Sequence, residues 1–393
     1  MNAPVQGADL AWCIPADSAV GRLILQYDWA ATPLGPLPTW PISLQVALSI
    51  TLHSRFPMMM WLGKELRVVY NDAFAPNLGA RHPSVLGLRG GDAFPEAWHV
   101  CGPELEEVLA TGKATWRENH FLLANTHGYL EYVGHICERA DAVIRRESYW
   151  TYSFSPIITQ TGEVVGIFDA TKDTTLRRIS ERRLDSLHQL SARTAAAGTS
   201  AMSVSQTLVD VFSRNPNDLP FSMVYLADET GRELRLTHSH NVSPNQLEVP
   251  AAVACGDGPQ KHLTTTLGAS LQVLAESRHL YCMDVPVPAA MSLSLPNNIA
   301  RPESLVLLPL RAATDRAAQP LLGVLVLGVN AHKRLDDNYR RFHAMLASTA
   351  TAALLASRDN EREKRKTEAL AALDRAKTTF FQDVRKKSCD FLV

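Results

Sequence analysis

The sequence has no surplus of charge. Lys and Arg number 39 against 40 Asp and Glu, a net charge of −1 over 393 residues. Such a balance offers no electrostatic footing for nucleic acid or an anionic membrane. Long apolar runs are also missing: the longest, at 321–329, falls far short of the roughly 20 residues that a membrane span requires. No basic segment followed by an apolar one opens the chain, so no signal peptide is expected. Cysteine is sparse. Cys13, Cys101, Cys137, Cys255, Cys282 and Cys389 form no C-x-x-C pair and no metal-ligand spacing, a usage that fits a reducing compartment. Phosphate loops are absent as well. Gly87-Leu-Arg-Gly90-Gly91 and Gly256-Asp-Gly258 do not continue into Gly-Lys-Ser/Thr and read as turn glycines. Together these absences predict a cytoplasmic protein with neither a membrane nor a nucleic-acid partner.

What is present is ordinary globular material, 46% hydrophobic and 20% charged, in a length that suggests two or three domains. Residues 1–20 are small, polar and unpatterned, and are expected to lack order. Pro33, Pro36, Pro38 and Pro41 then favour an extended, turned segment. Leu44, Leu48 and Leu52 stand at four-residue steps and predict a helix, with Ser43 as a candidate cap. Met58–Trp61 and Arg67–Tyr70 read as a hairpin turning at Gly63, after which Asn71-Asp72 opens a helical stretch to Gly79. Residues 116–124, 149–158 and 164–171 read as further strands, the second by its alternation of bulky and small side chains.

A hairpin followed by short helices over one face of a sheet resembles the PAS domain. The likeness rests on Thr32-Pro-Leu-Gly-Pro, Trp40-Pro-Ile-Ser-Leu, Ser54-Arg-Phe-Pro, Tyr70-Asn-Asp and Gly79-Ala-Arg-His-Pro, and continues through Trp98, Gly102-Pro103 and Gly112-Lys-Ala-Thr-Trp116. These segments are similar to PAS sensor domains at the front of hybrid histidine kinases. Asp173-Thr-Thr175 matches the Asp-x-Thr with which such domains hand over to an exit helix, the short oxygen-bearing side chain capping it. Residues 132–146 depart from the pattern and read either as a real loop or, preferably, as unspliced message. Leu176, Ile179, Arg183, Leu187 and Leu190 form a stripe on the exit helix that either pairs in a dimer or packs on the PAS sheet.

Residues 195–205, rich in Ala, Gly, Ser and Thr, mark a boundary. Beyond it the order of elements resembles a GAF domain: a helix at 201–212, strands at 221–227 and 233–239, an irregular stretch over 241–300, and apolar central strands at 304–310 and 321–329. Asp336-Asp337 opens a closing helix that feeds a long run over 354–384 without Pro or Gly. Leu370, Leu373, Phe380 and Val384 share one face of that run, and Phe381 adjoins it. Ala369–Val384 resembles the entry to the dimerisation helix of a sensor histidine kinase, where Ser-His-Glu would follow and its His would accept the phosphoryl group. Here Lys386 holds that position. Its ammonium, with a pKa of about 10.4, offers no free lone pair at neutral pH.

Other candidates are weaker. His238 and His240, two apart on a strand, could seed a metal site but have no third ligand at useful spacing. Cys255 or Cys282 could hold a bilin, yet no accompanying motif is present, nor any flavin-adduct cysteine motif, so no cofactor is assigned. Asn330, Lys333, Leu335, Asp336 and Asp337 resemble a cyclic-nucleotide GAF motif only in part, and helix capping accounts for the Asp pair.

The expectation is an α+β chain of tandem PAS-like and GAF-like domains, antiparallel sheets with flanking helices, joined by helical linkers and ending in a signalling helix. Its divisions are an N-terminal extension (1–51), a PAS-like domain (52–175), a linker (176–200), a GAF-like domain (201–353), the signalling helix (354–384) and a divergent tail (385–393). The resemblance implies a sensory input region of a phosphorelay histidine kinase without phosphoacceptor or ATP-binding domain, and so no enzyme. It would pair with itself or with a full-length kinase, with an unidentified small molecule as a possible ligand. Asp173, Thr175, Leu370, Leu373, Phe380 and Phe381 would transmit the signal. The alternatives are a free-standing small-molecule-binding protein, or an incomplete gene product of an active kinase.

Overall fold

The structure, a computed structural model, describes residues 12–125, 145–196, 200–244, 246–255, 266–276, 283–311 and 321–390. The chain forms two compact units, Met1–Ser180 and Glu181–Val393. Each is built on one antiparallel sheet with helices against it. Among the described residues no helix is long and apolar enough to cross a membrane.

The sheet of the first unit has five strands: β1 (Met58–Leu62), β2 (Arg67–Tyr70), β3 (Thr115–Asn125), β4 (Arg145–Ile158) and β5 (Val164–Asp173). Their order is β2-β1-β5-β4-β3. Residues directly opposite in an antiparallel pair share a face. Met59 and Phe154 both face Asp169, Ile167 faces Trp61, and Thr171 faces Tyr152, so these side chains stand together on one side of the sheet. That side is covered by α3 (Ala75–Leu78), α4 (Gly90–Ala93) and α5 (Pro95–Thr111). Pro95 occupies the first turn of α5, where a missing N–H costs nothing, and left-handed Gly112 ends it by donating to Val108 O.

The opposite side receives α2 (Ile42–His53), whose Leu44, Leu48 and Leu52 are buried as their spacing predicts. The N-cap of α2 is Pro41, with Ser43 inside the first turn, so Ser43 is not the cap. The residues before α2 are not a loose extension. Ser18 caps α1 (Ala19–Gln26), two 3-10 turns follow at Trp29–Ala31 and Leu37–Thr39, and Cys13, Ile24, Trp29 and Trp40 belong to the same core as the sheet. Residues 12–20 carry no periodicity because their three core side chains are the adjacent Cys13 and Ile14 and, six residues on, Val20.

The stretch expected to be helical from Asn71 contains only the single turn α3 and a 3-10 turn. Asn71 itself is a hub. Fully buried, it donates from Nδ2 to the carbonyls of Thr51 (3.0 Å), Ser54 (3.1 Å) and Phe56 (2.7 Å), and Oδ1 accepts from the amides of Met58 (3.1 Å) and Phe74 (3.0 Å). One carboxamide thus fastens the end of α2, the start of β1 and the entry to α3. Asn71→Leu should destabilise the first unit by roughly 2–4 kcal/mol, because buried backbone groups lose their partners. Tryptophan fluorescence in urea reads this directly, since all 7 tryptophans lie between Trp12 and Trp150; an unchanged transition would refute the assignment.

The second unit carries six strands: β6 (Ser222–Ala227), β7 (Glu233–His240), β8 (Ala252–Ala254), β9 (Met283–Pro286), β10 (Ser304–Arg311) and β11 (Leu321–Gly328). Their order is β8-β7-β6-β11-β10-β9. Alternation along β10 sends Val306, Leu308 and Leu310 to one core and Leu305 and Leu307 to the other, which is why this strand reads as a continuous apolar run. The first core is closed by α6 (Thr175–Ala196), α7 (Ala201–Phe212) and α9 (Asp337–Asp390), the second by α8 (Thr266–Glu276). The stretch 241–300, expected to be irregular, therefore contains β8, α8 and β9.

Leu187 and Leu190 of α6 pack into the first of these cores, beside α7 and α9 residues. These two side chains of the stripe therefore sit in the core of the second unit rather than on the first sheet. Leu176 is 72% exposed. The closing helix and the long run after Leu354 are one helix of 54 residues, with no break at 354.

Candidate functional site

The helices and the sheet of the first unit border a half-open cavity of about 120 Å³. Its floor is the inner sheet face, with Trp61 from β1, Leu122 from β3, Trp150, Tyr152 and Phe154 from β4, and Asp169 and Thr171 from β5. Its roof is Glu96, Ala97, Trp98 and Cys101 of α5, with Phe74, Asn77, Leu78, Arg81 and Phe94. The roof indole fits because two glycines leave space for it. A Cβ on Gly90 would lie 2.3 Å from Trp98 Cζ3 and 3.0 Å from Trp61 Cζ3, and one on Gly102 would lie 2.9 Å from Trp98 Cε2. The Trp61 ring lies 5.8 Å from Phe94 and 6.1 Å from Trp98, in tilted and edge-on contacts favoured by aromatic quadrupoles.

Two acids of this lining differ in their balance. Glu96 is paired: Arg81 Nη2 lies 2.6 Å from its Oε1, while the same guanidinium donates to Ala93 O and stacks on Phe94. Asp169 is 5% exposed and, among the described residues, holds a single hydrogen bond, from Trp61 Nε1 to Oδ2 at 3.3 Å, with no partner for its Oδ1. Burial pushes the Asp169 carboxyl up to about 7, with the indole N–H pulling the other way. Burial, then the Asp169 and Glu104 charges, push the Cys101 thiol up to about 12, so it is a neutral thiol and not a nucleophile. Tyr152 Oη lies within hydrogen-bond distance of Glu104 Oε2 (3.2 Å) and His120 Nδ1 (3.0 Å), and burial raises its pKa too.

The raised carboxyl has a definite consequence for stability. Between its unfolded value near 3.8 and the folded value of about 7, the native state holds a proton that the unfolded state has released. Stability therefore falls as pH rises through that window, by roughly 4 kcal/mol at most, and is level above it. Asp169→Asn should abolish this slope and raise stability at pH 8, as measured by urea titrations followed through tryptophan fluorescence.

A second buried carboxylate lies in the second unit. Asp218 receives Arg182 Nε (2.8 Å) and, from Arg183, Nε (3.1 Å) and Nη2 (2.9 Å). Asn215 Nδ2 adds a bond at 3.2 Å, and the Tyr339 hydroxyl donates to the Asp218 carbonyl. Burial alone would raise the Asp218 carboxyl, but the two guanidiniums outweigh it and hold the group below its usual range. Arg183 lies over the Tyr339 ring at 4.1 Å. His343, beside that ring, is held neutral: burial, with Arg183 assisting, lowers it to about 3.

The residues expected to transmit a signal are dispersed. Asp173 Oδ1 accepts the Thr175 amide at 2.8 Å, and Thr175 Oγ1 accepts the Tyr149 amide at 2.9 Å, so the Asp-x-Thr pair does cap α6 and ties it to β4. Leu370 and Leu373 lie on α9, 67% and 69% exposed. Phe380, Phe381 and Lys386 are on the helical backbone, their side chains outside the described residues, as are residues 132–144 and Cys282. Arg145 and Arg146, placed in the insert by sequence, begin β4. His238 Nδ1 bonds Ser205 Oγ at 2.7 Å, and no group of three metal-ligating side chains exists among the described residues. Cys255 Sγ lies 3.7 Å from Val253 O. Asp336 Oδ1 caps α9 at Tyr339 N, and Lys333 reaches Asp336 at 3.3 Å. Sequence reasoning missed Asp169 and Asp218. For the first, the signal was an acid at the inward position between Ile167 and Thr171.

No protein-family model and no curated protein sequence matches this chain. Solved structures similar to part of it include the GAF domain of a phosphoenolpyruvate-protein phosphotransferase from Coxiella burnetii, at 16% identity over 46% of this chain and 98% of that one, with a TM-score of 0.32. The phycoerythrobilin-bound GAF domain of a cyanobacterial phytochrome is similar at 12% identity, over 46% and 97%, with a TM-score of 0.29. So is the free methionine-R-sulfoxide reductase of Neisseria meningitidis in complex with its substrate, at 17%, over 45% and 90%, with a TM-score of 0.29. Identities of 12–17% do not carry ligands or reactions from one chain to another.

Proposed function

We propose that this chain is a sensory input region of a two-component histidine kinase, with a PAS-like first unit, a GAF-like second unit and no catalysis of its own. The observation that carries this reading is the aromatic cavity under α3–α5, which holds an acid that no side chain among the described residues neutralises. A pocket with many apolar walls and one convergent polar group is built to receive a small molecule. A ligand that favoured one arrangement of the roof over another would shift the population of the unit. The capped start of α6 on β4 and the long α9 are the elements through which such a shift leaves each unit.

Partner choice follows from α9. Residues 362–379 are exposed throughout, including Leu370 and Leu373, which stand one turn apart. An isolated helix of that polarity gains little from its own burial, and a second copy or a full-length kinase would cover the two leucines. The free-standing ligand-binding reading remains the competitor, favoured by the cavity alone.

Sedimentation equilibrium of the full chain separates the two. A dimer is expected, weakened at least tenfold by the double substitution Leu370→Glu and Leu373→Glu, with unchanged circular dichroism. In the same preparation labelled ATP should leave the chain unlabelled. A monomer at high micromolar concentration would favour the free-standing binder, and incorporated phosphate would overturn the non-catalytic reading.

A further inference from the structure

Resting on the reading of the first-unit cavity as a receptor, we propose that its ligand is a small organic ammonium ion. The ligand would carry a protonated amine on a flat apolar body, its N–H donated to Asp169 Oδ1 and its body held among the indoles of Trp61, Trp98 and Trp150. Each alternative class fails on the same lining. Above about pH 7, where the Asp169 carboxyl is ionised, an anion would meet it with no cation among the cavity's side chains to receive it, because Arg81 is committed to Glu96. A metal ion would find one carboxylate and no cluster of three ligands among the described residues. A neutral hydrocarbon would fill the aromatic walls but leave Oδ1 without a partner, an expensive condition for a buried acceptor. A protonated amine satisfies both demands. It supplies the missing donor, and its charge is attracted by the faces of the surrounding rings.

Size narrows the class further. The half-open cavity of about 120 Å³ is somewhat smaller than a closed one of about 150 Å³ that takes a single benzene, so a single ring is the largest body its walls surround, with the ammonium one or two atoms away. Benzylammonium is therefore the first probe.

The test uses the full chain and reads tryptophan fluorescence and titration heat, since 3 of the cavity-lining side chains are the indoles of Trp61, Trp98 and Trp150. Benzylammonium should bind saturably, at least tenfold tighter than toluene or benzyl alcohol. Benzyltrimethylammonium, which has the charge without an N–H, should bind more weakly than benzylammonium, and benzoate should not bind. Asp169→Asn should cut benzylammonium affinity at least tenfold while leaving toluene unaffected. The comparison among probes on the unaltered chain needs no variant, so it stands even if the substitution perturbs folding. Equal affinity for benzylammonium and toluene, indifferent to Asp169→Asn, would overturn the ammonium assignment and leave the receptor reading intact. If no probe binds, toluene included, the receptor reading falls with the ammonium assignment.

Discussion

The second unit depends on a single fully desolvated carboxylate. Asp218 sits in the segment between α7 and β6, and its side chain and carbonyl together hold Arg182 and Arg183 of α6 and Tyr339 of α9. A buried charge of this kind is tolerable only when it is paired and fully hydrogen-bonded, and removing a partner leaves a cost of several kcal/mol. The helix entering the unit and the helix leaving it are therefore fastened at one point. Arg183 adds a second tie by lying on the Tyr339 and Phe342 rings. Around this point Leu187, Leu190, Val204, Leu208 and Leu346 close the apolar core.

Asp169 presents the opposite case, and the contrast gives it meaning. Both acids are buried, but Asp218 is saturated by cations and amides while Asp169 has one indole donor. A saturated acid is held charged and serves the fold. An unsaturated one is pushed toward its neutral form and stays in the core at a cost that the fold does not recover internally. The glycines beside Trp98 belong to the same account, since side chains at Gly90 or Gly102 would collide with the indole that lines the cavity beside that acid. The first unit is thus built around an opening, and the second around a closure.

Much of the architecture was legible in the sequence. The hairpin β1–β2 and the strands β3 to β7 were legible between their turn residues, β4 by its alternation, β10 and β11 as apolar runs, and α7 as the helix at 201–212. The Asp-x-Thr cap was legible because its chemistry is local to three residues. What escaped was non-local. Cys13 and Ile14 are adjacent core residues with no periodic partner in sequence, α8 lies in a stretch crowded with turn residues, and the stripe ending at Leu190 could not say which core it would join. Asp169 and Asp218 escaped for a sharper reason. An acid in a strand or loop reads as solvated until its neighbours are known, and those neighbours come from elements as distant as Trp61 and Tyr339.

The unbroken α9 has a mechanical corollary. At about 1.5 Å per residue, its 54 residues extend some 80 Å as one hydrogen-bonded rod. No Pro or Gly provides a joint at which torsion could dissipate. Because successive residues are about 100° apart around the axis, rotating the rod at its Tyr339 end by one residue step would carry Leu370 and Leu373 from one azimuth to an almost perpendicular one.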